Sequence, residues 1–276
     1  MGFRDYLKKR KIKKFKKKYK VGLCLSGGGA KGFSYIGVFK AFEEYGIKFD
    51  AVAGTSIGSL FGAFYASGMS AEEIYKKTKF ATNKDFRKPK LGFLPSKMDT
   101  MINNINQILP VTNIEQMKMD YYAVTVDIKT GKEKVFSFGD IATIVAGSCA
   151  IPGVFVPVKY KNYLLVDGGV TNNIPSDVLR MNGCDFVITI DCNSSRGGGT
   201  NSNNIITQFT TSIGIMMASN SKNGIELSDI VILPNTKRFS SLNIQNKEEL
   251  IQEGYIATKE KIKEIEKLFL GKLKKR

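Results

Sequence analysis

Two glycine-rich turns constrain this chain more than any other feature. Each closes an apolar run with strand character and opens a segment with helical character. The first run is Val21-Gly22-Leu23-Cys24-Leu25, the turn is Ser26-Gly27-Gly28-Gly29-Ala30-Lys31-Gly32, and a helical stretch runs from Phe33 to Tyr45. The second run is Phe49 to Ala53, the turn is Gly54-Thr55-Ser56-Ile57-Gly58, and helical character resumes from Ser59 to Ala66. Strand, turn and helix twice in succession start a βαβα fold, which implies a parallel sheet with right-handed crossovers. Both turns then lie at the carboxyl edge of neighbouring strands, where the sites of α/β proteins form.

The chemistry of the two turns follows from their residues. Gly54, Ser56 and Gly58 make the only G-x-S-x-G in the chain. Between a strand and a helix, that pentapeptide strains the serine backbone and exposes its hydroxyl at the first turn of the helix, and its small residues let strand and helix approach. Unpaired N–H groups there favour a developing negative charge. A chance match is expected in roughly one chain in ten at ordinary glycine and serine usage, so the pentapeptide alone is also readable as a plain connecting turn. Gly27, Gly28 and Gly29 leave backbone N–H groups uncovered at a helix start, which suits a phosphate or an oxyanion. Lys31 is followed by glycine, so the loop is not a P-loop. Gly27, Gly29 and Gly32 have dinucleotide-fingerprint spacing, a weak signal alone, and a tight structural turn is the plain alternative. Lys31 reads either as a contact for a lipid phosphate or as a solvated lysine. A third piece stands further on: the apolar run Tyr163 to Val166 ends in Asp167-Gly168-Gly169. Asp-Gly is a common turn; a functional reading needs the carboxylate near Ser56.

Composition narrows the chemistry. The chain of 276 residues contains no histidine. A Ser-His-Asp triad, a Cys-His protease and a His-ligated metal site are all excluded. The four cysteines (Cys24, Cys149, Cys184, Cys192) have no zinc-like spacing. They fit free thiols in a reducing cytoplasm, with Cys24, Cys149 and Cys184 in apolar surroundings. No metal or cofactor is expected. Of the net charge of +17, residues 1–20 supply +10 and residues 272–276 supply +4, leaving +3 on the body. In the basic arm, 1–20, a helix would align Ile12, Phe15 and Tyr19 on one face among lysines, the pattern of an anchor lying on an anionic membrane. A solvated tail is the other reading, and nucleic acid is not expected as a partner. No apolar run is long enough to span a bilayer, and the N-terminus lacks the apolar core of a secretory signal. One domain, 21–276, is expected, in a cytoplasmic protein that reaches the inner face of the membrane through its arm.

The remaining elements are coarser. Ser70-Ala71-Glu72-Glu73 is a capping box for a helix to about Lys79. Residues 81–111 suggest a cover with one helix, carrying Leu91, Phe93 and Leu94 toward lipid or into ordinary packing. Tyr121–Val126 and Lys134–Phe138 form a hairpin, Ile141–Ser148 a helix, and Ala150–Phe155 a turn into a short strand. A helix (Ser176–Met181), a strand (Phe186–Asp191), a polar loop (193–204), a helix (Ile205–Ala218), a strand (Ile230–Leu233) and a long helix (Lys247–Leu270) finish the chain.

Taken in order, the loop Gly27-Gly28-Gly29-Ala30-Lys31-Gly32, the turn Gly54-Thr55-Ser56-Ile57-Gly58 and Asp167-Gly168-Gly169 closely resemble the patatin-like phospholipase family, in its bacterial form. The likeness runs from about Val21 to Asp191 and includes Ser148-Cys149-Ala150-Ile151-Pro152-Gly153-Val154-Phe155 and Val126-Asp127-Ile128-Lys129-Thr130-Gly131. It implies a three-layer α/β sandwich with a mainly parallel central sheet, and hydrolysis of lipid acyl esters by a Ser-Asp dyad. On it, Ser56 is the nucleophile, Asp167 the base, and Gly27, Gly28 and Gly29 the oxyanion loop, with Lys31, Gly32, Gly54, Gly58, Gly168 and Gly169 supporting the motifs. A dyad needs no histidine, in agreement with the composition. Two alternatives stay open: a soluble esterase or thioesterase acting on small acyl esters, and a non-catalytic membrane-associated regulator. A nucleotide-binding protein is more distant.

Overall fold

A computed structural model describes residues 18–79, 96–193, 205–241 and 243–270. The greater part of the arm, Leu91, Phe93, Leu94 and most of the polar loop 193–204 therefore lie outside the described residues. The elements run β1 (Val21–Leu25), a 3-10 turn (Gly29–Phe33), α1 (Ser34–Glu44), β2 (Ala51–Thr55), α2 (Ile57–Ala66), α3 (Ala71–Thr78) and α4 (Asp99–Ile108). They continue with β3 (Asp120–Asp127), β4 (Lys132–Phe136), α5 (Ile141–Ser148), β5 (Val158–Tyr160), β6 (Tyr163–Asp167), α6 (Ser176–Met181) and β7 (Phe186–Ile190). Last come α7 (Ile205–Ser219), α8 (Lys222–Glu226), β8 (Ile230–Ile232) and α9 (Lys247–Phe269).

The strands join one sheet in the order β5-β6-β3-β2-β1-β7-β8, with β4 also on β3. From β3 to β8 every pairing is parallel; β4, β5 and β6 add an antiparallel margin. Alternation along the strands divides the core in two. Leu23, Leu25, Val52, Ile188 and Ile190 face a large cluster formed with α1, α2, α5 and α9. Cys24, Ala51, Ala53, Tyr122 and Val187 face a smaller one with Ile174 and α6 residues Val178 and Leu179. Two faces covered by helices make the expected three-layer sandwich around a mainly parallel sheet. The four cysteines are buried and form no disulfide among the described residues. No helix among the described residues is long and apolar enough to cross a membrane.

Several boundaries differ from the sequence reading. No strand forms over Ala150–Phe155. Gly153 takes φ +77°, and the Val154 and Phe155 N–H groups turn back to Ile151 O at 3.1 and 2.9 Å, so Phe155 makes isolated bridges to Ser96 and Pro152 instead of a ladder. The strand falls instead at Val158–Tyr160, and α8 was not foreseen. β2 starts at Ala51, because the Asp50 carboxylate accepts from Val21 N at 2.8 Å and Phe49 drops into the core. The second hairpin strand sits two residues earlier than expected, after Asp127 gathers the Lys129 N–H and the Thr130 hydroxyl into a tight turn. The capping box holds as expected: Glu73 N donates to Ser70 Oγ and Ser70 N to the Glu73 carboxylate.

Candidate active site

The register of β3 builds the site. One edge of β3 pairs along Ala123–Asp127 with β4. The opposite edge is shared: β2 takes it up to Thr55 opposite Val124, and β6 takes it from Asp167 opposite Thr125. The residue that ends β6 thus occupies the ladder position next to the one where β2 ends. Ser56 follows Thr55 directly, so an antiparallel strand returning from the far margin delivers a carboxylate to the serine turn.

Ser56 has φ 54° and ψ −128°, in the left-handed half of backbone space where a side chain is costly by about 1–3 kcal/mol. Its neighbours impose that geometry. A methyl group on Gly54 would overlap Gly58 O, and one on Gly58 would overlap Leu25 O. Strand, turn and helix therefore pass within backbone contact, which side chains at 54 and 58 would forbid. Ser148, at the end of α5, fixes the turn from below: its hydroxyl donates to Val124 O at 2.6 Å and accepts from Ser56 N at 2.9 Å. The helix α2 starts at Ile57, earlier than the sequence suggested. Ser56 is only 7% exposed, not the open hydroxyl expected, because the glycine loop roofs it.

Asp167 is fully buried. Its Oδ1 accepts from Gly169 N at 2.8 Å, and its Oδ2 has no hydrogen-bond partner among the described residues. Burial pushes the carboxyl up to about 6, against the opposing pull of the Ser56 hydroxyl and the Gly169 N–H. Gly168 lies against Val124 O, where a methyl would collide. Cys149 stands near both residues. Burial and the Asp167 charge push its thiol well above its ordinary range, so it stays protonated and is no rival nucleophile.

The glycine loop crosses above Ser56. A methyl on Gly27 would lie 3.3 Å from Ser56 Cβ and overlap Asn173 Oδ1. The Gly27 N–H donates to Asn173 O at 3.2 Å, and the Ala30 N–H to Ser241 O at 2.8 Å. Between them, the N–H groups of Gly28 and Gly29 have no acceptor among the described residues. Gly29 reaches its φ of +58° against Ser241 O, a position open only to glycine. Beneath the loop, Tyr35 donates to Ser26 O and Cys192 N donates to Ser26 Oγ at 3.1 Å, which stiffens its entry. Gly32 packs on Ile57. Lys31 is 6% exposed and its Nζ donates to Asn193 Oδ1 at 2.9 Å, so it is not the solvated lysine of the plain reading.

The structure thus gathers Ser56, Asp167 and the Gly27–Gly29 loop at one sheet edge. Sequence reasoning missed Asn173 and did not single out Ser148. Ser148 entered only as the first residue of a segment that carries the resemblance, and Asn173 lies in an ordinary polar turn; the fold brings both beside Ser56.

The chain resembles known proteins in sequence and in fold. The chain is similar to patatin-like phospholipase domain-containing protein 6 of Homo sapiens, 34% identical over 188 residues, which is 63% of this chain and 13% of that protein. It is similar to lysophospholipase NTE1 of Saccharomyces cerevisiae, 30% identical over 184 residues, 63% of this chain and 11% of that one. It therefore spans little more than a tenth of the length of these curated relatives. Among solved structures it shares the fold of VipD from Legionella pneumophila, with TM-score 0.58 and 16% identity over 88% of this chain and 66% of the other. The family model for patatin-like phospholipases matches residues 23–180, a single run that holds the glycine loop, the serine turn and the buried aspartate, and the chain is a member of that family.

Proposed function

We propose that this chain hydrolyses carboxylic esters of lipids through Ser56 and Asp167. The observation that carries the reading is a fully buried carboxylate with one unpartnered oxygen, raised to about 6, beside a serine held at φ 54°. A carboxylate at its usual pKa near 4 is a weak base; one near 6 still ionises at neutral pH and accepts a proton more readily. Ser56 Oγ attacks the ester carbonyl while its proton passes to Asp167 Oδ2. The oxyanion accepts from the Gly28 and Gly29 N–H groups, with Gly27 committed to Asn173 O and serving as a spacer. Losing one such donor typically costs ~2.7–4 kcal/mol of transition-state stabilisation. Collapse breaks the bond to the alcohol, which leaves with the proton from Asp167. Water then attacks the acyl-serine, returning acid and free enzyme.

A lipid substrate, rather than a small soluble ester, is supported by α7. Its fifteen residues carry no charge in a chain that is 24% charged. Phe209 is 46% and Met216 55% exposed, while Met217 on the same helix lies against Gly169 beside the dyad. An uncharged, apolar helix bordering the site suits approach to acyl chains. The basic arm at 1–20 adds attraction to an anionic leaflet, and a cytoplasmic location at the inner face follows from this reading.

The test is release of fatty acid from anionic phospholipid vesicles and of alcohol from a short soluble ester, wild type beside Ser56→Ala. Vesicle hydrolysis that disappears in the variant is expected. Turnover surviving in Ser56→Ala removes the mechanism, hydrolysis of the soluble ester alone favours a small esterase, and silence on both favours a non-catalytic regulator.

A further inference from the structure

Asn173, beside Ser56 and Asp167, has a carbonyl oxygen with no hydrogen-bond partner among the described residues. It is 1% exposed. Its Nδ2 donates to Ser221 Oγ at 3.3 Å, and Ser221 in turn donates its own proton to Met217 O at 2.8 Å. With that proton spent, Ser221 offers only lone pairs to Asn173, so the amide must present its NH2 there. The carbonyl oxygen Oδ1 points the other way and has no partner among the described residues. An unpaired buried acceptor ordinarily costs about 1–3 kcal/mol, which calls for a reason.

The surroundings of Oδ1 supply one. It overlaps the position of a methyl on Gly27 that would itself touch Ser56 Cβ at 3.3 Å. It also lies 3.0 Å from the position of a methyl on Gly169, a point that is 3.1 Å from Asp167 Oδ1. A side chain at either glycine would enter the region where Ser56, Asp167 and Asn173 meet, which Met217 Cε borders at 2.8 Å from the Gly169 methyl position. Asp167 Oδ2 and Asn173 Oδ1 are both buried without a hydrogen-bond partner among the described residues, and the Ser56 hydroxyl is the one donor that pulls on the Asp167 carboxyl besides the Gly169 N–H. Acceptors in a pair are matched by a molecule with two protons.

We propose that Asn173 Oδ1 and Asp167 together hold the water that hydrolyses the acyl-enzyme; the proposal rests on Ser56 as the acylated residue. One O–H of the water points to Asp167 and the other to Asn173 Oδ1, which leaves a lone pair for the acyl carbon. In the attack the water oxygen bonds to that carbon and its first proton passes to Asp167 Oδ2. The second proton stays on the oxygen, held by Asn173. When the tetrahedral intermediate collapses, the C–Oγ bond breaks, Ser56 Oγ takes the proton from Asp167, and the carboxylic acid departs. A neutral amide suits the second position, since a carboxylate there would repel Asp167 and compete for the proton. Attack of Ser56 on the ester needs no water, so Asn173 acts in the second half-reaction alone.

Asn173→Ala tests this against a chromogenic ester, with the acyl-enzyme followed by intact-protein mass spectrometry. Misplacing the water is expected to lower kcat by about 10- to 100-fold. KM should fall with it, leaving kcat/KM nearly unchanged, with a burst of one alcohol per enzyme and an accumulated acyl adduct on Ser56. Ser221→Ala, which frees the amide to rotate without touching Asn173, is expected to show a smaller effect of the same kind. A fall in kcat/KM with no adduct in either variant overturns the proposal, since it assigns Asn173 to acylation or to holding the loop. Acylation of wild-type Ser56 by an organophosphonate separates the two levels: labelling upholds the nucleophile whatever Asn173 does, and its absence overturns both readings.

Discussion

At the residue scale, the charge state of Asp167 links stability to chemistry. In the folded chain its carboxyl titrates near 6 instead of 3.8, because burial disfavours the ionised form. Between those values the folded protein keeps a proton that the unfolded chain has released, so stability falls as pH rises through the window. Above pH 6 the full cost is present, about 3 kcal/mol for a shift of this size. Asp167→Asn removes the charge and should be more stable than wild type at pH 7.5, with the gap closing near pH 4. Urea unfolding at both pH values checks this, and equal stability throughout would mean the carboxylate is not desolvated. Wild-type kcat/KM on a soluble ester should fall on the acid side with an apparent pKa near 6, and Asp167→Asn should be inactive. The same residue shows the limit of the sequence. Asp167 was legible as a strand-end carboxylate, but its burial comes from β3 ladder positions that no local pattern records.

At the element scale, the glycine loop is held by a helix distant in sequence. A methyl on Gly37 of α1 would overlap Ile251 O of α9, and one on Gly254 would overlap Ser34 O at the start of α1. The two helices therefore meet backbone to backbone. Alanine in a helix interior usually gains about 0.5–1 kcal/mol over glycine, whereas forcing a methyl into a packed contact costs about 1–3 kcal/mol. Gly254→Ala is expected to destabilise the protein by about 1–2 kcal/mol net, read as a lower urea midpoint at unchanged slope. Since Ser34 directly follows the 3-10 turn that carries Gly29, hydrolysis should weaken as well. A more stable Gly254→Ala would show that α9 has room to shift. Helix α9 was legible as a long helical run from Lys247, yet its partner was not: two isolated glycines in separate helices say nothing of each other until the chain is folded.

At the scale of the whole molecule, Tyr19 and Lys20, the described end of the basic arm, and the site sit at opposite ends of the sheet. The arm enters at the amino end of β1, where Lys20 N donates to Asp185 Oδ2 and Lys20 Nζ pairs with Asp120 at 2.7 Å. Tyr19 meets the Phe186 ring edge-on at 5.4 Å. The site lies at the carboxyl end of β1 and β2. Because Tyr19 and Lys20 belong to the sheet end, the informative truncation removes residues 1–17 only. It should weaken binding to anionic vesicles, more at 0.05 M than at 0.5 M salt, where screening shortens to about 4 Å, and leave the soluble-ester rate intact. Binding that is unchanged at low salt would reduce the arm to a tail.

The sequence by itself determined the βαβα opening, the parallel core, the glycine loop, the serine turn and the absence of any histidine-based chemistry. These features are local: strand and helix periodicity, turn residues and composition act over a few positions, and they survive without knowledge of neighbours. Tertiary structure decided what depends on contacts between distant segments. It buried Ser56 and Lys31, brought Asp167 to the ladder position beside Thr55, committed the Gly27 N–H to Asn173 O, and buried Asp167 Oδ2 and Asn173 Oδ1 with no hydrogen-bond partner among the described residues. Burial and register are properties of pairs of segments, and those pairs exist only once the sheet has closed.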